Sequence, residues 1–201
     1  MATRAAPQQF DPETYTGSNP KVYIVRGMER FRKAKVQESI SDFDRALQLS
    51  PALGPYLWQR GLSLYYADRF AEGAAQFRLD VSVNPNDTEE AIWAFACEAR
   101  TLGFQEARKR LLKVGQDTRP YMRTAYSLFQ GSTSEQDLAM VGQTDDRSHF
   151  YANLYLGLYA ECREEVDLAR HYIGLAVGSK YCATGDYMCS LARVHQKVRG
   201  W

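Results

Sequence analysis

Side chains able to do acid, base, nucleophilic or metal chemistry are few in this sequence and scattered along it. Its three histidines, His149, His171 and His195, have no His or Cys partner at the i+3, i+4 or C-x-x-C spacing of a metal site, so each reads as a surface or packed residue. Neither a metal nor a cofactor is expected. The four cysteines, Cys97, Cys162, Cys182 and Cys189, form no C-x-x-C pair and read as free thiols in a reducing compartment. Two carboxylate pairs, Glu89 with Glu90 and Glu164 with Glu165, fall near expected helix starts. Interaction with the positive end of the helix dipole accounts for them better than acid-base catalysis does. Asn86-Asp87-Thr88 has the form of a glycosylation sequon but reads as a turn and a helix cap. With no nucleophile elbow, phosphate-binding loop or dinucleotide fingerprint, the expectation is that the chain is not an enzyme.

Charge is the remaining chemical signal. Lys plus Arg number 25 and Asp plus Glu 24, a net charge of +1, which argues against a protein whose affinity comes from neutralising phosphates. Locally the balance tips: Arg100, Arg108, Lys109, Arg110, Lys113, Arg119 and Arg123 face only Glu106 and Asp117 within their stretch. This basic strip could serve a nucleic-acid-associated helical protein, but no interleaved aromatic residues accompany its Arg108 to Lys113 run, and a solvated helix face has the same composition. Hydrophobic residues make up 45% and aromatic ones 12%, enough to build a core and too many for a disordered chain. No apolar run approaches the ~20 residues that span a bilayer, and the opening MATRAAPQQF lacks the apolar core of a secretory signal. No membrane attachment is expected; the expected location is the cytoplasm, with an organelle lumen or stroma as the alternative.

The elements that hold these residues come from an internal repeat. Gly27 and Gly61, Arg26 and Arg60, Phe43 and Phe77, and Pro51 and Pro85 are each 34 residues apart. A glycine on one helix lets a second approach, an aromatic fills the space beside it, and a proline stops the second helix. The register continues in degenerate form through Phe95, Ala107 and Leu111, and Asp87 is an N-cap candidate with Glu90 three residues on. A helix over Pro120–Gln130 stopped by Gly131, a second capped by Ser134 and ending near Gly142, and a polar loop QTDDRS follow. Gly157, Ala169, Ile173 and Ala176 restore the register, and Asp186–Val198 reads as a capping helix. Arg26 and Arg60 are expected to pair with acids such as Asp42 or Asp44.

Glycine at the eighth position of a 34-residue unit, a small residue at the twentieth (Ser39, Gly73), an aromatic at the twenty-fourth and proline at the thirty-second resemble the tetratricopeptide repeat. The resemblance implies an all-α fold, a right-handed α-solenoid of about five helix pairs plus a capping helix. Units are expected at 20–53, 54–87, 88–119, 120–148 and 149–182, with an N-terminal extension at 1–19 and a cap at 183–201. The order RGLSLYY, then NPND and a Trp-bearing helix, then a short pair, then FYANLYLGLYAECREEVDLARHYIGLAV is similar to the bacterial new-lipoprotein I group, without its lipidated cysteine. That resemblance implies a homodimeric scaffold for other proteins.

In such arrays the first helix of each pair lines the inner face, which here gives Ile24, Met28 and Phe31, then Trp58, Leu62, Tyr65 and Tyr66. Ile24, Met28 and Phe31, like Trp58, Leu62 and Tyr65, follow i, i+4, i+7 and share one helical face. A clamp for a terminal carboxylate needs cations in this groove, and Ile24, Met28, Gln59, Glu89 and Trp93 stand at those positions instead. The expectation is therefore a non-enzymatic adaptor that binds a protein through an aromatic inner face. The same stripe could equally be filled by the chain's own termini or by a second subunit.

Overall fold

The computed structural model describes residues 11–201 and is all-helical, with no strand among them. Its α-helices are α1 (Pro20–Arg32), α2 (Val36–Leu49), α3 (Trp58–Tyr66), α4 (Phe70–Val83), α5 (Thr88–Leu102), α6 (Phe104–Lys109), α7 (Pro120–Gln130), α8 (Glu135–Val141), α9 (Asp146–Cys162), α10 (Val166–Val177) and α11 (Tyr187–Arg199). Short 3-10 turns stand at Pro12–Thr14, Pro51–Tyr56 and Lys180–Thr184. Among the described residues no helix is long and apolar enough to cross a membrane.

One packing device recurs in three helix pairs. A Cβ on Gly27 would lie 3.1 Å from the Phe43 ring, one on Gly61 2.7 Å from Phe77, and one on Gly157 2.7 Å from Ile173, always sixteen residues on. The helices of α1 and α2, α3 and α4, and α9 and α10 approach closely because those positions carry no side chain. The turn between the helices repeats too: Ala34, Asp68 and Glu164, each seven residues past its glycine, sit at φ 58°, 56° and 65°. The amides that follow, on Lys35, Arg69 and Glu165, donate to the carbonyls of Arg30, Leu64 and Ala160. This six-to-one closure is the helix-ending motif that normally takes glycine. Replacing Ala34 by Gly should therefore raise stability by about 0.5–1 kcal/mol, the left-handed strain relieved less the added freedom of the unfolded chain. A urea midpoint that falls instead would show that the alanine is not strained.

The buried arginine pairs as expected. Arg26, 8% exposed, donates from Nη2 to Asp42 Oδ1 at 2.6 Å, and Arg60 Nε reaches Asp44 Oδ1 at 2.7 Å. Arg26 Nη1 also donates to the carbonyls of Pro12, Glu13 and Tyr15, so residues 11–19 lie against α1 rather than extending from it. The remainder of the expected extension, residues 1–10, lies outside the described residues, as does the segment read for a targeting signal. In the third unit the second helix, α6, is only six residues long, and Leu111 falls beyond its end. The short pair α7 and α8 has the expected limits, and α8 opens on a Ser134–Asp137 capping box. The polar loop is shorter than expected, because Asp145 caps α9 through the Ser148 amide and starts the helix inside QTDDRS.

Two helices are buried on nearly all sides. In α9 every residue from Phe150 to Cys162 is buried, and in α5 every residue from Glu90 to Ala99. Leucine, alanine and tyrosine surround α9 without a polar face, as a central helix requires. The last helix, α11, packs on α10 and also reaches back to α1, so the chain's end meets its beginning.

The cysteine expectation needs correcting. Cys182 and Cys189 are joined in a disulfide, their Cα atoms 5.4 Å apart, and only Cys97 and Cys162 remain as free thiols, both buried. The 3-10 turn and the first turn of α11 fold seven residues of chain back on themselves, which a search for C-x-x-C does not detect. The ground for expecting a reducing compartment goes with it.

Candidate binding site on the inner face

Four of the seven expected groove residues are buried: Phe31, Leu62, Tyr65 and Tyr66. Ile24, Met28 and Trp58 are half-buried. The stripe is thus not an open groove, and its cover is the chain's own last helix together with α9. Tyr187 of α11 stacks on Phe31 at 5.8 Å and meets Trp58 edge-on at 5.5 Å. The Tyr66 hydroxyl and His195 Nδ1 are 3.0 Å apart, and the Tyr65 hydroxyl donates to Glu161 Oε2 of α9 at 2.6 Å. Histidine burial follows: His195 is fully enclosed, and desolvation pushes it down to about 4, so it is neutral at physiological pH.

The cover is incomplete. Where α3, α4, α5, α9 and α11 converge, a cavity of about 280 Å³ remains, lined by Trp58, Trp93, Tyr151 and Tyr187 together with Leu62, Phe77 and Met188. Four carboxylates line it, Asp87, Glu89, Glu90 and Asp186, and no basic residue does. Two of them are present because two helices start there. Asp87 caps α5 by accepting from the Glu89 and Glu90 amides, and Asp186 caps α11 by accepting from the Met188 amide. Glu89 is held by the Tyr155 hydroxyl at 2.7 Å and by Arg119 at 2.8 Å. Asp186 accepts from the hydroxyls of Tyr181 and Tyr151.

Glu90 differs from the others. It is 8% exposed, and among the described residues its Oε2 has no hydrogen-bond partner; nor have the indole nitrogen of Trp93 and the hydroxyl of Tyr187. Burial first, then the charges of Asp87, Asp80 and Glu89, push the Glu90 carboxyl up to about 8. The neighbouring Asp80, also buried, is raised to about 7 by the same desolvation, against a bond from Gln76. An unpartnered buried acceptor and two unpartnered donors around one cavity form a site built for polar contact with something other than this chain.

The raised carboxyl has a stability consequence. Unfolded glutamate titrates near 4.5, so between that pH and about 8 the folded state holds a proton that the unfolded state has lost. Stability from this group is complete below pH 4.5 and is lost as pH rises to 8. Glu90→Gln should therefore raise the melting temperature little at pH 5 and progressively more toward pH 8, and a gain independent of pH would contradict the reading.

The basic strip is largely paired within the chain, although Arg100, Lys109, Arg110 and Lys113 are exposed. Arg100 pairs with Glu161 and lies over Phe70, and Arg108 bonds the Phe129 carbonyl and the Tyr159 hydroxyl. Lys109 and Arg110 share Glu106; Arg119 bridges Asp117 and Glu89; Arg123 donates to the carbonyls of Asp117 and Thr118. Lys113 is exposed. Among the described residues no three His, Cys, Asp or Glu side chains are grouped to hold a metal ion.

Sequence reasoning placed Trp58 and Leu62 at this site, and touched Glu89 and Trp93 only as positions where a carboxylate clamp is missing. It missed Glu90 as a site residue, along with Tyr151, Asp186 and Tyr187. The available signal was the pair of N-cap aspartates, since two helix starts carrying acids and flanked by aromatics can meet when a chain turns back on itself. No protein-family model matches the chain, and no curated protein matches it.

Proposed function

We propose that this chain is a non-enzymatic adaptor of the tetratricopeptide type, similar to the new-lipoprotein I group, that holds a partner protein over the inner-face cavity. The observation that carries the reading is that cavity: aromatic walls, acidic lining and three buried polar groups with no partner among the described residues. The repeat reading draws support from the glycine contact and left-handed turn shared by three helix pairs, a geometry that a right-handed solenoid of 34-residue units would need. An absence of catalysis fits the buried thiols of Cys97 and Cys162, which desolvation holds above their usual range and hence protonated. The disulfide favours an oxidising compartment over the cytoplasm.

Self-association belongs to the same reading. Leu79 and Val83, one turn apart on α4, are 44% and 46% exposed, and Tyr56 is 65% exposed, apolar surface that a second copy could cover. Sedimentation equilibrium at micromolar concentration should show a dimer, and a 22.9 kDa species alone removes this part.

Affinity capture from native extract tests the main claim, using the wild-type chain and Trp58→Ala at low and high salt. A salt-resistant protein partner, lost in a variant that is still folded, is the expected result. Recovery of salt-sensitive RNA would favour the nucleic-acid reading of the basic strip.

A further inference from the structure

We propose that the inner-face cavity receives a primary alkylammonium group, either the lysine side chain of a partner protein or a free aliphatic amine. The inference rests on the adaptor reading for the lysine source alone; the chemistry of the site stands without it.

Three observations select this chemistry. The lining carries four carboxylates and no base, so an anion would be repelled and a cation drawn in. Glu90, more than nine-tenths buried, lines the cavity with a carboxyl whose Oε2 no group of the described residues bonds, and the N–H groups of an ammonium can donate to that carboxylate. Two indoles and two phenols line the cavity, and aromatic rings attract a desolvated cation; Arg32 already lies over the Tyr187 ring and Arg147 over that of Tyr151, which leaves the indoles of Trp58 and Trp93 for an incoming one. A cavity of about 280 Å³ has room for an ammonium with a short aliphatic stem, and Leu62, Phe77 and Met188 supply the apolar floor for that stem. Of the other carboxylates, Glu89 is already neutralised by Arg119, and Asp87 and Asp186 are engaged at helix caps. Glu90 is thus the free counterion.

Binding should displace a proton. Burial first, then the charges of Asp87, Asp80 and Glu89, keep the Glu90 carboxyl protonated at neutral pH, while Asp186, Tyr187 and Tyr151 line the same cavity and Arg119 pairs with Glu89. The entering cation favours the carboxylate, so affinity should climb by up to about tenfold per pH unit until Glu90 ionises freely near 8.

Isothermal titration of the full chain with n-butylammonium and with a short lysine-containing peptide provides the test, n-butanol and tetramethylammonium serving as controls. Both amines should bind, the alcohol and the quaternary ion at least about tenfold more weakly, and Glu90→Gln should weaken the amines by about tenfold or more. Tyr187→Phe, which removes only an unpartnered hydroxyl, should cost a few-fold and serves if Glu90→Gln fails to fold. Asp80→Asn should leave the amine preference intact. Tighter binding of the peptide identifies a lysine side chain as the source, and tighter binding of the free amine identifies a small molecule. No binding of either amine at millimolar concentration, or equal binding by Glu90→Gln, overturns the inference. Capture of a protein partner that millimolar butylammonium leaves undisturbed, with no amine heat, overturns the ammonium chemistry while leaving the adaptor reading standing.

Discussion

Glu161→Ala is expected to cost about 3–5 kcal/mol of folding stability, the loss typical of removing one member of a buried ion pair. Glu161 is 7% exposed and accepts from the Tyr65 hydroxyl at 2.6 Å, Arg199 Nε at 2.6 Å and Arg100 Nη1 at 3.3 Å. Burial alone would raise its carboxyl; with His195 neutral at physiological pH, the positive field of Arg199 and the bonds from Tyr65 and Arg199 oppose that rise. Alanine would leave Arg199 Nε and the fully buried Tyr65 hydroxyl without their acceptor, with only Asp68 still bonded to that guanidinium, and α11 would lose its ion pair to α9. Glu161→Gln keeps one acceptor and should fall between wild type and alanine. Urea unfolding followed by circular dichroism reads both. A cost under about 1 kcal/mol for alanine would mean that the network adds no net stability.

Trp93→Ala is the second large effect, also about 3–5 kcal/mol, the range for truncating a buried aromatic. Its ring is 2% exposed and meets Tyr65 edge-on at 5.2 Å and Phe77 face-on at 6.4 Å, tying α5 to α3 and α4. Trp58→Ala should cost less than half as much, because Trp58 is half-buried and its ring partner is Tyr187. If the two variants prove equally destabilising, Trp58 is core rather than cavity wall, and its use in a capture experiment is compromised.

Local features were readable from the residues. Gly27 with Phe43 and Gly61 with Phe77 announced their contacts through spacing, and Arg26 with Asp42 followed from the same register. Ser134 and Gly131 marked helix limits because capping chemistry is encoded within a few residues. What escaped reading depends on contacts distant in sequence. Phe31, Tyr65 and Tyr66 have the spacing of a helix face whether that face meets solvent or α11, since periodicity reports which side is apolar and not what covers it. Glu90 looked like an ordinary first-turn acid; it shares its cavity with Phe77 of α4 and Tyr187 of α11, which no local pattern around it reveals. Cys182 and Cys189 paired across a turn whose geometry is set by Gly185 and the Asp186 cap.

The return of α11 onto α1 also governs how the chain acquires its structure. In arrays whose units touch only their neighbours, the first units can fold while the rest are still being made. Here Tyr66 is completed by His195, 129 positions later, and Asp68 is reached by Arg199 across 131. Phe31 and Tyr66 must therefore stay uncovered on the ribosome until α11 has emerged, a wait of seconds at ordinary rates of synthesis. Folding should be a late, all-or-none event with a slow, topology-limited rate, and the nascent chain should depend on chaperones that shield aromatic surface during that interval.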